Sequence, residues 1–275
     1  MRNLDLFSGI GGFTYAAEKL VGGITTTQFV ENNKFCQEIL RKHWPDIPIH
    51  DDIKTFNAKK YEYDSITAGF PCQDLSSSGA KRGIEEGTRS SLFYEVIRLA
   101  RQIRPKFILL ENVRNLLSHQ DGKTFQEILF QIAKSGNYEI EWAVVSAKDL
   151  GACHLRQRIW ILAYADSIGC GRGSSKGRSI QERSFLSGEQ ERSEMGSEIE
   201  RCSINNYRWR NTKHRLDPNW KEYGVKPTVY RDPDGVSSRL DKSRIHALGN
   251  ALVPQVAAIP LQRIKDLNEH FSTTT

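Results

Sequence analysis

No run of apolar residues in this chain approaches the roughly 20 needed to cross a bilayer. The longest, such as Phe107 to Leu110 and Ile159 to Ala163, are the length of strands, so a soluble protein without membrane partners is expected. The opening residues Met1-Arg2-Asn3-Leu4-Asp5 lack the apolar core and cleavage site of a secretory signal, which argues against export and for a cytoplasmic location. Cysteine is scarce and shows no pairing: the five residues Cys36, Cys72, Cys153, Cys170 and Cys202 are odd in number and contain no C-x-x-C. That pattern suits neither a disulfide framework nor a zinc site. Internal repeats are also lacking. What is present is enough for a core: 275 residues, 38% hydrophobic and 9% aromatic, sufficient for one large α/β domain with a small appendage and too little for two full domains.

The formal net charge of +6 is mild by itself, but it is concentrated. Between Arg201 and Arg244 stand 11 Lys/Arg against 5 Asp/Glu, an excess equal to that of the whole chain. Tyr207, Trp209, Trp220, Tyr223 and Tyr230 are interleaved with it. Cations with aromatics suit phosphate contacts combined with base stacking; a solvated basic surface with a few packed rings is the plainer alternative.

Short β-branched or apolar runs alternate with helical patterns in the first half, the rhythm of βαβ units around a parallel sheet. Strands are predicted near 2–7, 26–31, 64–69, 106–111, 140–146 and 158–164, and helices over 12–20, 33–43, 89–103 and 123–135. In the third helix Leu92, Val96, Leu99 and Ile103 share one face. From Ser167 to Glu200 roughly two-fifths of residues are Gly or Ser and about a third are charged, the composition of a flexible linker. A last, Pro-interrupted helix is expected over Leu252 to Leu267.

Five segments carry chemistry. Leu4-Asp5-Leu6-Phe7-Ser8-Gly9-Ile10-Gly11-Gly12-Phe13 reads as a strand, a Gly-rich turn and a helix start, where bare backbone can approach a nucleotide. Thr14 occupies the place of the third glycine of G-x-G-x-x-G, which weakens a dinucleotide reading. Glu31, about 20 residues on at the end of the second strand, suits ribose hydroxyls, and one of Asp51 and Asp52 could face an adenine amino group. In Gly69-Phe70-Pro71-Cys72-Gln73 a thiol stands just past a strand's carboxyl end, before the polar run Asp74 to Ser90; such a thiol would point into a cleft where a neighbouring cation could activate it. Glu111 ends the apolar strand Phe107 to Leu110, where partial desolvation would raise its pKa. Arg156-Gln157-Arg158 places two arginines on one side of a strand start, and Gly249-Asn250-Ala251-Leu252-Val253-Pro254-Gln255 forms the fifth segment.

In this order and spacing, DLFSGIGGF, GFPCQ, ENV, R-Q-R and GNALVPQ resemble the DNA (cytosine-5)-methyltransferases of bacteria and their phages. The resemblance covers roughly residues 1–165 and 235–270. It implies a Rossmann-like S-adenosylmethionine-dependent methyltransferase fold with a small target-recognition region: a catalytic domain over 1–165, a variable recognition region over 166–240 whose first part is the linker, and a C-terminal segment, 241–275, returning to the catalytic domain. It further implies S-adenosyl-L-methionine as cofactor, no metal, duplex DNA as partner and the setting of a restriction–modification system with a cognate endonuclease. By the same resemblance Cys72 would add to carbon 6 of a flipped-out cytosine, Glu111 would hydrogen-bond ring nitrogen 3, and Arg156 and Arg158 would orient the base and thiolate. Phe7, Gly9, Gly11, Glu31, Asp52, Pro71 and Asn250 would line the cofactor site. Two departures stand out: Asn32 follows Glu31 where the family often has an aromatic, and His154 stands where its arginine motif commonly begins with Gln. A transfer-RNA-methylating relative and a catalytically silent DNA-binding relative are the competing readings. The Cys-Phe-Thr element of the former is not found in the variable region, and the presence of Cys72 and Glu111 speaks against the latter.

If residues 201–244 form a nucleic-acid face, neutralising several of their arginines will weaken DNA binding and flatten its dependence on salt, by a log–log slope of roughly 0.9 per lost phosphate contact. An unchanged salt slope in filter-binding titrations would refute the placement.

Overall fold

A computed structural model of the chain describes residues 1–71, 91–152, 154–165 and 238–272. Among these, a single seven-stranded sheet in the order β3-β2-β1-β4-β5-β7-β6 organises everything else. The strands are β1 (Arg2–Leu6), β2 (Thr25–Val30), β3 (Ile49–His50), β4 (Ser65–Ala68), β5 (Phe107–Val113), β6 (Tyr138–Ser146) and β7 (Gln157–Ala165). The helices are α1 (Gly12–Tyr15, continued by a π-helical turn over Ala16–Val21), α2 (Lys34–His43), α3 (Ser91–Ile103), α4 (Lys123–Ser135), α5 (Ser238–Asn250) and α6 (Pro254–Ser272).

The predicted strands are all present, but the sheet is mixed. β1 to β5 are parallel, whereas β7 runs antiparallel to both β5 and β6. The reason is the length of the connection: β6 reaches β7 through a short segment that begins with a 3-10 turn, Ala147–Leu150, closed by a capping box between Ser146 and Asp149. A parallel return would need a crossover of a dozen or more residues.

The sheet is covered on both faces, so its strands are apolar on both. Ile108, Leu110, Ile159, Ile161, Ile66, Leu4 and Leu6 face one side, packed against Phe93, Val96, Leu99 and Ile103 of α3 and Phe125, Ile128 and Ile132 of α4. Phe107, Leu109, Trp160, Leu162 and Val145 face the other, against Phe13 of α1 and Val256, Ile259, Leu261 and Ile264 of α6. Burying each such side chain stabilises the fold by about 1.5–3 kcal/mol.

Two differences from the predicted elements concern the last helices. α6 runs unbroken through Pro260. Pro254 sits at its first position, where the missing N–H has no partner to lose, and the bond lost at Pro260 is offset by burial of Ile259, Leu261 and Ile264 on either side of it. α5 gives no clear signal in the sequence because it is only weakly amphipathic, and helices of that kind form through tertiary contact rather than periodicity. It crosses the expected boundary between residues 240 and 241.

Asn3 and Asp5 alternate with Leu4 and Leu6 along β1, yet all four are buried. Buried polar groups require partners, and these close a ring. Asn3 Nδ2 donates to Thr26 Oγ1 at 3.3 Å and to Thr67 Oγ1 at 3.0 Å. Thr67 donates to Asp5 Oδ1 at 2.9 Å, Thr14 donates to Asp5 Oδ2 at 2.9 Å, and Thr14 and Thr26 share a hydrogen bond. Burial pushes the Asp5 carboxyl up to about 7; the Thr67 and Thr14 hydroxyls pull it down and the Glu31 charge adds to the rise.

Between pH about 3.8 and about 7 the folded chain therefore holds a proton on Asp5 that an unfolded aspartate releases. The contribution of this group to stability is complete below about 3.8 and is lost as pH rises through about 7. Across this window the stability of the wild-type protein, measured relative to Asp5→Asn, should fall by up to about 1.4 kcal/mol per pH unit. Parallel pH profiles for the two proteins in urea unfolding would show that Asp5 titrates normally.

Candidate active site

The parallel strands end on one edge of the sheet, and the chain reverses its order of addition between β1 and β4, the kind of switch point where α/β sheets bind ligands. The Gly-rich turn leaves β1 there. Phe7 and Gly9 have φ values of +53° and +54°, and Gly11 has φ +84°. This succession of left-handed residues folds the turn tightly, with the Gly11 N–H donating to the Ser8 carbonyl at 2.9 Å and Ser8 Oγ donating to the Asp5 carbonyl at 2.6 Å. Gly11 is backed closely: a Cβ there would lie 2.4 Å and 2.6 Å from the Trp44 ring. At Gly9 the added atom would meet only the Phe7 carbonyl, at 4.0 Å. The space over Gly9 is therefore free for close approach of a ligand.

Glu31, 8% exposed just beyond β2, holds this turn from the side. Its Oε2 accepts the Gly9 N–H at 2.8 Å and its Oε1 accepts the Asn33 N–H at 2.7 Å. Each carboxylate oxygen has more than one lone pair, so further hydroxyl donors can be accepted. Asp52 stands two residues past β3, exposed, with its carboxylate accepting the Lys54 N–H at 2.9 Å and its carbonyl opening a turn to Thr55 and Phe56. Since Val30 is in register with His50, the segments carrying Glu31 and Asp52 leave the sheet side by side.

The ends of β4 and β5 make a second cluster. Glu111, near the end of β5, pairs with Arg158 of β7, Oε1 to Nε at 2.9 Å, with both side chains largely buried. Burial pushes the Glu111 carboxyl above its ordinary range, opposed by the Arg158 and Arg156 guanidiniums. Gly69 lies beside it, since a Cβ there would be 3.6 Å from Glu111 Oε2. Asn112, next in the strand and buried, donates to the Phe70 carbonyl at 3.1 Å. The side chain following Glu111 thus pins the segment that leads through exposed Pro71 toward Cys72. Cys72 itself lies outside the described residues, as do Asp74 to Ser90 and most of 201–244. Cys36 is the free cysteine among the described residues; burial and the nearby Glu31 charge push its thiol up to about 11, so it stays protonated and inert.

The two arginines, expected on one side of a strand, have different partners. Arg158 lies within β7 and reaches Glu111. Arg156 precedes the strand with φ +24°, and its Nη2 donates to the carbonyls of Gly249, at 3.0 Å, and Ala251. Asn250 ends α5, exposed, with its Nδ2 beside the His246 ring. The link after it folds Leu252 onto the turn, 2.8 Å from where a Cβ on Gly12 would stand. A cleft of about 540 Å³ lies between this link and the turn, with Gly11, Tyr15, Trp44, His154 and Leu252 in its walls. Among the described residues, no group of three or more His, Cys, Asp or Glu could hold a metal ion, and no helix is long and apolar enough to cross a membrane.

The roles of Asn112, Trp44, Leu252 and the hydroxyls around Asp5 are not legible in the sequence. These groups act through packing and backbone contacts, which leave no spacing pattern; the asparagine beside Glu111 is the one hint.

A family model described as C-5 cytosine-specific DNA methylase matches residues 1–232. The chain is 36% identical over 167 residues to the type II methyltransferase M.DsaV of Dactylococcopsis salina, covering 60% of this chain and 46% of that protein. It is 33% identical over 169 residues to M.HhaI of Haemophilus parahaemolyticus, covering 61% and 50%, and 37% identical over 171 residues to M.HpaII of Haemophilus parainfluenzae, covering 60% and 46%. The chain spans about half the length of these relatives. Among solved structures, S. pombe Dnmt2 methyltransferase aligns over 97% of this chain and 98% of its own, with a TM-score of 0.59 at 16% identity. A Spodoptera frugiperda DNMT2 variant aligns over 64% and 53%, with a TM-score of 0.52 at 20% identity. At these identities the likeness is one of fold, that of Rossmann-like methyltransferases.

The two turn glycines should respond differently to substitution. Gly11→Ala forces a side chain into Trp44 at positive φ and should cost about 2–4 kcal/mol in unfolding free energy. Gly9→Ala should cost only about 1–2 kcal/mol while removing affinity for a nucleoside ligand in calorimetric titration. Equal stability losses for the two would contradict the packing described.

Proposed function

Since the chain belongs to the C-5 cytosine-specific DNA methylase family, we propose that it transfers a methyl group from S-adenosylmethionine to carbon 5 of cytosine in duplex DNA at a short recognition sequence. The observation that carries this reading is the pairing of Glu111 with Arg158 beside Gly69, on the edge of the sheet to which the Gly turn and Glu31 also belong. It brings a protonatable acid and the open approach over Gly9 to strand ends separated by β4 alone.

The residues present fit the cofactor. The open approach at Gly9 would admit its backbone-facing side, Glu31 would accept ribose hydroxyls, and Asp52, Phe7, Pro71 and Asn250 would line the remainder, with Gly11 shaping the turn from behind. When bound, the cofactor supplies an electrophilic methyl group on sulfonium sulfur.

Carbon 5 of cytosine is a weak nucleophile, and the protein's task is to activate it. Cys72, by its place in the family motif, would add through its thiolate to carbon 6, giving the ring enamine character and splitting one difficult step into two. Glu111, whose carboxyl burial favours the protonated form, would donate to ring nitrogen 3 as charge builds on the pyrimidine. Arg158 would hold that carboxyl in place and keep its proton transferable. After methyl transfer, loss of the carbon 5 proton and expulsion of the thiolate restore the ring and the enzyme. Carbon 6 is shielded in a duplex, so the base must be flipped out of the stack. Residues 1–165 and 241–275 would form the catalytic body, since α6 packs on the same sheet. The basic, aromatic-rich part of 166–240 would read the target, and a cognate restriction endonuclease would be the companion.

The test is transfer of labelled methyl from S-adenosylmethionine to unmethylated duplex DNA, with transfer RNA in parallel and base-resolution mapping of 5-methylcytosine. Label confined to one short DNA motif is expected. Label only in transfer RNA, or cofactor binding without any transfer, would replace this reading with an RNA enzyme or a silent DNA-binding relative. Cys72→Ala should abolish transfer while leaving cofactor affinity nearly unchanged, and Glu111→Gln should slow it at least about 100-fold; normal turnover by Cys72→Ala would sink the mechanism.

A further inference from the structure

Arg158 makes the ion pair with Glu111, whereas Arg156, the other arginine of the motif, makes its hydrogen bonds elsewhere. Its guanidinium still acts electrostatically on the Glu111 carboxyl, but its Nη2 donates to the Gly249 and Ala251 carbonyls of the link between α5 and α6. These two residues bracket Asn250, and the next, Leu252, packs on Gly12 at the back of the ligand turn. The side chain thus spans from the start of β7, two residues before Arg158, to the segment that closes on the turn. The side chain is half-buried, and its Nε is buried without a hydrogen-bond partner. A guanidinium placed there at such desolvation cost, with backbone carbonyls as its hydrogen-bond partners, acts on the position of those carbonyls. The left-handed backbone at Arg156 turns it out of the strand to do so.

We propose that Arg156 is a positioning residue for the cofactor side of the site: it acts through the α5–α6 link, holding Asn250 and Leu252 against the Gly turn, and sets the affinity for S-adenosylmethionine without touching the base or the thiolate. The assignment of the ligand rests on the function proposed above, whereas the tie between Arg156 and the link does not. Arg156→Lys keeps the charge but has a single ammonium in place of the planar fork, so it restores the hold only in part.

The full chain serves for the experiment. In Arg156→Ala, hydrogen exchange at the amide of Ala251, which donates to the Ala247 carbonyl, should accelerate at least about tenfold in the absence of ligand. Affinity for S-adenosylhomocysteine, measured by calorimetry, should fall by about tenfold or more, and Arg156→Lys should be intermediate. In turnover the effect should fall more on the cofactor KM than on kcat. Leu252→Ala, which loosens the same contact from the other side, should reproduce the affinity loss and supplies the test if Arg156→Ala does not fold. Unchanged exchange in Arg156→Ala, wild-type cofactor affinity in Leu252→Ala, or a collapsed kcat at wild-type cofactor KM would each overturn the proposal. A wild-type protein that binds no S-adenosylhomocysteine would instead refute the function it rests on, with the exchange result still deciding the tie.

Discussion

Asp5 is buried in the middle of β1, and the groups around its side chain are arranged as donors. The two protons of the Asn3 amide enter the Thr26 and Thr67 hydroxyls; Thr67 passes its own to one carboxyl oxygen of Asp5 and Thr14 gives its proton to the other. The ring crosses β1, β2, β4 and α1, so it fixes how the two central strands meet the helix that follows the Gly turn. Glu31, the charge of the same sign that acts on Asp5, is tied by its own carboxylate to the backbone of that turn. The edge that carries the Gly turn therefore inherits its shape from a polar network in the interior. Such a network is costly when half satisfied and rigid when complete.

From this frame the site is assembled by strand ends. β1 delivers the turn, β2 delivers Glu31, β4 the segment toward Cys72, and β5 delivers Glu111 with Asn112 as its anchor to Phe70. β7 returns antiparallel and adds Arg158 from the opposite direction. The antiparallel direction decides which residues meet: the start of β7, rather than its end, falls beside the end of β5. Two arginines two residues apart can then serve two ends of the site, one holding the acid and one reaching the α5–α6 link.

Much of this was legible in the sequence because it is local. The strands of 107–113 and 157–165 are apolar runs of strand length, and the α3 face of Val96, Leu99 and Ile103 repeats at helical spacing. The Gly turn, Glu31 and Glu111 could be placed by their positions at strand ends. The helical register of α5 was not legible, since its side chains have little periodicity, and neither was the passage of α6 through Pro260, which depends on what α6 packs against.

The sequence by itself determined the α/β alternation, the family and the residue types offered for chemistry, since these depend on neighbours along the chain and on ordered motifs. Only the tertiary structure decided which partner each side chain takes. Arg156 and Arg158 look equivalent in R-Q-R, and one backbone φ of +24° sends them to different places. Asp5 and Asn3 look like polar interruptions of a strand until Thr14, Thr26 and Thr67 arrive from three other elements to satisfy them. Hydrogen-bond satisfaction of buried groups joins residues far apart in the chain, and so it comes into being only when the fold does.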